Sequence, residues 1–188
     1  MKAAPLNPSP PDLTGILHFR AISARIGTAG QPTAAQFALI REAGYDIVIN
    51  LALPTSDNAL ADEGSLVAGL GMTYVHIPVN FTRPTAGDFE AFAGVLDAFR
   101  SRRVFVHCAM NMRVSAFVFV YRVLRGEATR TEAWHDLKAI WEPYETWARF
   151  IEERLSAGGD ASPGAESNPP QALTCGGHRE CWWPCVNS

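Results

Sequence analysis

The chain has 188 residues, of which 47% are apolar and 19% charged, and a formal net charge of −3, the profile of a globular domain with a substantial core. So mild an acidity gives no reason to expect nucleic acid or an anionic membrane as a bulk partner, and no stretch has the apolar length of a membrane span. Four cysteines, with only Cys108 in the body of the chain, do not make a disulfide framework, and the cytoplasm is the expected compartment.

Residues 1–12 are proline-rich and lack an apolar signal core, so they read as a flexible segment ahead of a domain spanning 13–155. Ile22 to Thr28 alternates apolar and polar residues, which predicts an edge strand. After the Gly30-Gln31-Pro32 turn, Thr33 caps a helix running through Phe37 and Ile40 to Ala43, where Gly44 ends it. Asp46 to Leu51 is a continuous apolar run, the mark of a strand buried on both faces of a parallel sheet. A loop with Pro54, Ser56, Asp57 and Asn58 leads to a short helix from Glu63 to Leu70, and Met72 to Val79 forms the next strand. Thr85 with Asp88 opens a helix carrying Phe89, Phe92, Val95, Leu96 and Phe99 on one stripe. Val104 to His107 is a strand, and Val114 to Leu124 is apolar nearly all round, as a helix inside the domain must be. Thr129 with Glu132 caps the first of two short helices split by Pro143, whose aromatics read as core. Strand and helix alternate from 46 to 124, which predicts an α/β fold: a central, mostly parallel sheet flanked by helices. From residue 156 to 188 Gly, Ser and Pro dominate first, and the segment reads as a flexible tail.

The chemistry concentrates in Val104 to Ser115. Two valines and a phenylalanine run into His107-Cys108, an arginine follows at 113, and a helix begins. Cys108 thus stands at the carboxyl end of a strand, where sites form in such sheets, and at a helix start, where unpaired N–H groups attract anions and favour a thiolate.

A strand ending in His-Cys, a short loop, an arginine and a serine on the next helix resembles the cysteine-dependent phosphatases of the protein tyrosine and dual-specificity type. Thr28 to Thr33, Val48 to Leu51, His76 to Val79 and His107 to Ser115 look more narrowly like a small bacterial branch. This is the group related to the phosphatase-like domain found with β-lactamase-like hydrolases. The resemblance spans residues 15 to 155 and implies a fold of the phosphotyrosine phosphatase II type. It also implies that Cys108 attacks phosphorus, Arg113 grips two oxygens through its fork, and the amides of Ala109, Met110, Asn111 and Met112 cradle the rest. Ser115 would donate a hydrogen bond to the sulfur, and His107 would orient the loop. No cofactor or metal is implied. The expected partner is a phosphorylated protein or small-molecule phosphate; the oligomeric state is not indicated.

Two features depart from the family pattern. Four residues separate Cys108 from Arg113 where the phosphatases have five, and Asn111 replaces the usual loop glycine, a substitution the left-handed tolerance of asparagine permits. Asn80 occupies the place of the aspartate that would protonate the leaving oxygen. Asp57, Asp62 and Glu63 could substitute, although they read as solvated loop and helix-start acids. A six-residue cradle is also that of rhodanese-like sulfurtransferases, which carry a persulfide and need no such acid. A catalytically silent oxyanion binder is the third possibility. In the tail, Cys175, His178, Cys181 and Cys185 could clip a zinc ion, but their spacing fits no paired zinc motif and ordinary thiols are the preferred reading.

Overall fold

A computed structural model describes residues 11–159. Eleven elements are defined there: β1 (Arg20–Ala21), β2 (Ile26–Ala29), α1 (Ala34–Glu42), β3 (Ile47–Asn50), α2 (Glu63–Gly69), β4 (Thr73–His76), α3 (Ala86–Ala98), β5 (Val104–His107), α4 (Met112–Leu124), α5 (Arg130–Lys138) and α6 (Glu145–Gly159). The zinc-clip expectation falls on residues outside the described range.

The strands form one sheet in the order β1-β2-β5-β3-β4. All neighbours are parallel except the β1–β2 pair. The expected α/β architecture is therefore present, with β5 at its centre, where Val104 to His107 are all buried. The strand expected over 22–28 differs in place and setting. Ser23 Oγ accepts from the amides of Arg25 and Ile26 at 3.2 and 3.0 Å, making a turn of what looked like alternation. The strand proper is Ile26–Ala29, fully buried and second from the edge, and the edge belongs to the two-residue β1. A bare edge invites pairing with other chains, and a two-residue strand offers little to pair with.

Three helices begin where Thr33, Thr85 and Thr129 were expected to cap them. Each hydroxyl accepts from the backbone three residues on, and Gln36, Asp88 and Glu132 close the capping box. The helix α6 runs to Gly159, past the boundary expected at 155.

The sheet separates two cores. On one face Val104, Val106 and Cys108 join Phe89, Phe92 and the inward residues of α4. On the other Phe105 joins Ile40, Tyr45 and Met72. Nine consecutive residues of α4, Arg113 to Tyr121, are buried, as its all-round apolarity requires. Phe117 is its anchor, with ring centroids 5.5–5.9 Å from those of Phe89, Phe92, Trp147 and Phe150. Such aromatic pairs each add about 1 kcal/mol beyond area burial. The aromatics of α6 are thus core, and they fix the helix that carries the arginine.

Candidate active site

Cys108 follows the last residue of β5 and is 1% exposed. A strand alternates its side chains between the two faces of a sheet, so Val106 and Cys108 face α4 while Phe105 and His107 face away. The segment from Cys108 to Met112 turns through Asn111, whose φ of 65° is left-handed, and α4 begins at Met112. Asn111 can hold that angle because its side chain is anchored: Nδ2 donates to His18 O at 2.8 Å and to Thr28 Oγ1 at 3.2 Å.

The backbone between the cysteine and the arginine is held from outside. Ala109 O accepts from the Gln31 amide at 3.2 Å and from Asn58 Nδ2 at 3.0 Å. Met110 O lies 3.0 Å from His18 Nδ1, which must carry the hydrogen because a carbonyl only accepts. Across a trans peptide the N–H faces opposite to the C=O, so bonds that draw the Ala109 carbonyl outward turn the Met110 amide the other way. Gly30 makes the approach possible. A Cβ there would stand 2.9 Å from Leu17 Cδ2, closer than real Cβ atoms come, and 3.1 Å from Ala109 O, tight enough to push the carbonyl back.

Arg113, in the first turn of α4, is 8% exposed, and its Nε has no hydrogen-bond partner. Among the described residues no carboxylate pairs with it. Its guanidinium carbon sits 5.4 Å from the centroid of the Phe81 ring. Phe81 is itself packed against Trp141 and Trp147, and Trp147 Nε1 donates to its carbonyl at 2.8 Å. Phe81, Cys108, Ala109, Met110, Met112 and Arg113 surround a cavity of about 220 Å³. A buried cation left without its counter-charge is costly, so an anion in this cavity would offset that cost.

Ser115 is bonded within α4 and to Trp141. Its Oγ donates to Met112 O at 3.0 Å, the bond to a preceding carbonyl that helical serines commonly make, and accepts from Trp141 Nε1 at 3.1 Å. No hydrogen bond joins it to the Cys108 sulfur.

His107 is fully buried on the opposite face of the sheet, edge-on to Phe37. Its Nε2 lies 3.0 Å from Glu63 Oε1. Glu63 is 4% exposed, which overturns the reading of it as a solvated helix-start acid. Asn50 Nδ2 and Tyr74 OH donate to its Oε1 at 2.8 and 2.9 Å, and Gln31 Nε2 donates to Oε2. Burial alone would raise the Glu63 carboxyl, but the contacts with His107, Gln31 and Tyr74 outweigh it and hold the group below its ordinary range. Tyr74 is pushed up by its own burial and by the Glu63 charge beside it. One carboxylate thus joins the residue before Cys108 to the turn that holds Ala109.

Asn80 is exposed, and its Oδ1 accepts from the Thr82 amide and hydroxyl, both at 2.9 Å, so it is committed to a turn. Of the three acids expected as possible substitutes, Asp57 stands with Ser56, Asn58, Ala109 and Met110 around a cavity of about 370 Å³ beside the Cys108 loop. Asp62 precedes α2 and makes no side-chain capping bond. Phe81, Trp141, Asn58 and His18 were not singled out from sequence. Each reaches the loop or the first turn of α4 from a distant segment, and no local pattern announces such contacts.

Comparison with known proteins places this geometry in a lineage. A family model described as DSP-PTPase phosphatase fused to NAD+ kinase matches residues 19–146. The structure of a DUF442 protein from Shewanella putrefaciens CN-32, described as a candidate phosphatase, is 34% identical. The match covers 77% of this chain and 95% of that one, with a TM-score of 0.71. Two more remote structures share the fold. TpbA of P. aeruginosa, solved in complex with pTyr, is 15% identical with a TM-score of 0.59, over 77% of this chain and 91% of that one. PTPMT1, solved with PI(5)P, is 13% identical with a TM-score of 0.64, over 76% and 97%. No curated protein matches the chain. The matched model takes in every strand and the loop from Cys108 to Arg113, and on that evidence the chain belongs to the DSP-PTPase phosphatase family described as fused to NAD+ kinase.

Proposed function

We propose that this chain hydrolyses phosphate monoesters through a cysteinyl-phosphate on Cys108. The observation that carries the reading is Arg113: a buried guanidinium without a carboxylate partner, lining the same cavity as the cysteine. A phosphoryl group there would meet the arginine fork on two oxygens and the amide nest at the head of α4 on the others. The Cys108 thiolate attacks phosphorus, the S–P bond forms as the ester P–O bond breaks, and the alcohol takes up a proton as it leaves. Water then attacks phosphorus, releasing inorganic phosphate and the thiolate. Asp57 is the acid beside the loop and the candidate proton donor. His107 acts by position, because the sheet lies between its ring and the Cys108 side chain. Ser115 holds the first turn of α4, through Met112 O.

Relatives of the fold bind phosphotyrosine or a phosphoinositide, by the descriptions of TpbA and PTPMT1, so a phosphorylated partner suits this chain as well. The six-residue cradle also fits a persulfide carrier, which gives the test its second arm. Purified chain is offered p-nitrophenyl phosphate and, separately, thiosulfate with cyanide, each against Cys108→Ser. Phosphate release abolished in the variant supports the proposal. Release that survives it, or thiocyanate formation without phosphate release, overturns it.

A further inference from the structure

The catalytic cavity is the smallest of three that adjoin one another along the carboxyl edge of the sheet. Ala109 and Met110 border both it and the 370 Å³ cavity at Ser56, Asp57 and Asn58. Ser56 in turn borders the largest, about 560 Å³, walled by Asn50, Leu53, Thr55, Ser56, Tyr74 and His76 among others. That volume lies in the range of small-ligand pockets, and the phosphoryl chemistry leaves it unused.

Its chemistry differs from that of the catalytic end. Among the described residues no lysine or arginine lines either outer cavity, whereas Asp57 lines one and Glu63 the floor of the other. A second phosphate or an acidic peptide would meet only like charge there. Apart from the amides of Asn50 and Asn58, the hydrogen-bonding side chains on offer are acceptors and hydroxyls. His76 Nε2 lies 2.8 Å from Ala52 O and must be the donor, which leaves Nδ1 as the ring nitrogen not engaged there. Thr55 and Ser56 add hydroxyls, while Leu53, Pro54 and the Tyr74 ring supply apolar faces. Such walls suit a neutral ring with hydroxyl or amino donors.

Resting on the phosphatase reading, we infer that the substrate is a small-molecule monoester with a single phosphate. Its neutral, hydroxyl-bearing ring extends past Met110 into the chamber at Thr55, Tyr74 and His76.

Calorimetric titration of the full chain carrying Cys108→Ser tests this without requiring turnover. The probes are inorganic phosphate, glucose 6-phosphate, adenosine 5′-monophosphate, fructose 1,6-bisphosphate and a phosphotyrosine peptide. At least one of the two monophosphates binds about tenfold or more tighter than inorganic phosphate, the gain of a few added hydrogen bonds and apolar contacts, and the bisphosphate shows no such gain. Adding Thr55→Trp, a surface substitution that fills the chamber, removes the gain and leaves phosphate affinity within about twofold, as does His76→Ala in part. The proposal is overturned if neither monophosphate binds tighter than phosphate, if the gain survives Thr55→Trp, or if the bisphosphate or the peptide binds best. Lack of p-nitrophenyl phosphate turnover by the unmutated chain would overturn the catalytic reading alone, because these titrations still report on the chamber.

Discussion

Glu63 and His107 meet at 3.0 Å on the face of the sheet turned away from Cys108. The pair lies deeper than any other acid–base contact of the described chain, with side chains 3% and 0% exposed. Removing Glu63 leaves His107 and the donors Asn50, Tyr74 and Gln31 without their shared acceptor. Glu63→Ala therefore lowers unfolding free energy by about 3–5 kcal/mol, the range for breaking a buried charged network, and Glu63→Gln by clearly less. The sign with pH follows from the depressed carboxyl. A group held below its unfolded value stabilises the fold above that value and loses the contribution as pH falls through the folded one. The stability gap between the unmutated chain and Glu63→Gln is thus full at neutral pH and shrinks below about pH 4.5, the ordinary glutamate value. Denaturant melts at pH 7, 5 and 3 measure it.

Asn111 combines a left-handed backbone with two side-chain bonds. Asn111→Gly keeps the conformation and loses the bonds, whereas Asn111→Ala loses both. The alanine variant is expected to be less stable than the glycine variant by about 1 kcal/mol, the cost of placing a Cβ in that region. An inverted order in paired thermal melts would show that the angle is not held in solution.

Arg113 lines the cavity at Cys108 without a carboxylate partner, so replacing it tests geometry apart from charge. Lysine keeps the charge but loses the fork. Arg113→Lys should cut kcat/KM on p-nitrophenyl phosphate by about 10²-fold or more, the penalty expected when a preorganised oxyanion contact is lost. Retention within about threefold would mean that charge suffices.

Asp57 is expected to matter in proportion to how poorly the leaving group departs. For Asp57→Asn, an alkyl phosphate, whose alkoxide needs a proton, should slow by about 10²-fold or more, while p-nitrophenyl phosphate changes little. Equal effects on both substrates would assign Asp57 to binding and not to proton transfer.

The sequence made legible what local rules control. Thr33, Thr85 and Thr129 were readable as caps because a capping box is a four-residue pattern. The all-apolar run of α4 and the continuous strand at Ile47 to Asn50 were readable because burial on every side leaves no polar period. Cys108 and Arg113 stood out since the turn from strand to helix is itself local. The supports of the site were not legible. Glu63 resembled any helix-start acid, and only the meeting of α2 with β3, β4 and β5 shows it buried. The strand expected from Ile22 failed for the converse reason, since Ser23 closes a turn through its own hydroxyl and mimics alternation.

The strand order has a consequence for how the protein comes into being. The strands β2 and β3 are consecutive in sequence yet do not touch, because β5 lies between them. Neither can complete its ladder until residues 104–107 have arrived, and the His18 bonds that fix Met110 and Asn111 then close loops of 92 and 93 residues. Contacts so distant along the chain carry a large loop-closure entropy that the rest of the structure must offset. The loop bearing Cys108 therefore reaches its anchored form only once β5 and the segment at His18 have met, and a chain in which they have not met holds the cysteine without these supports.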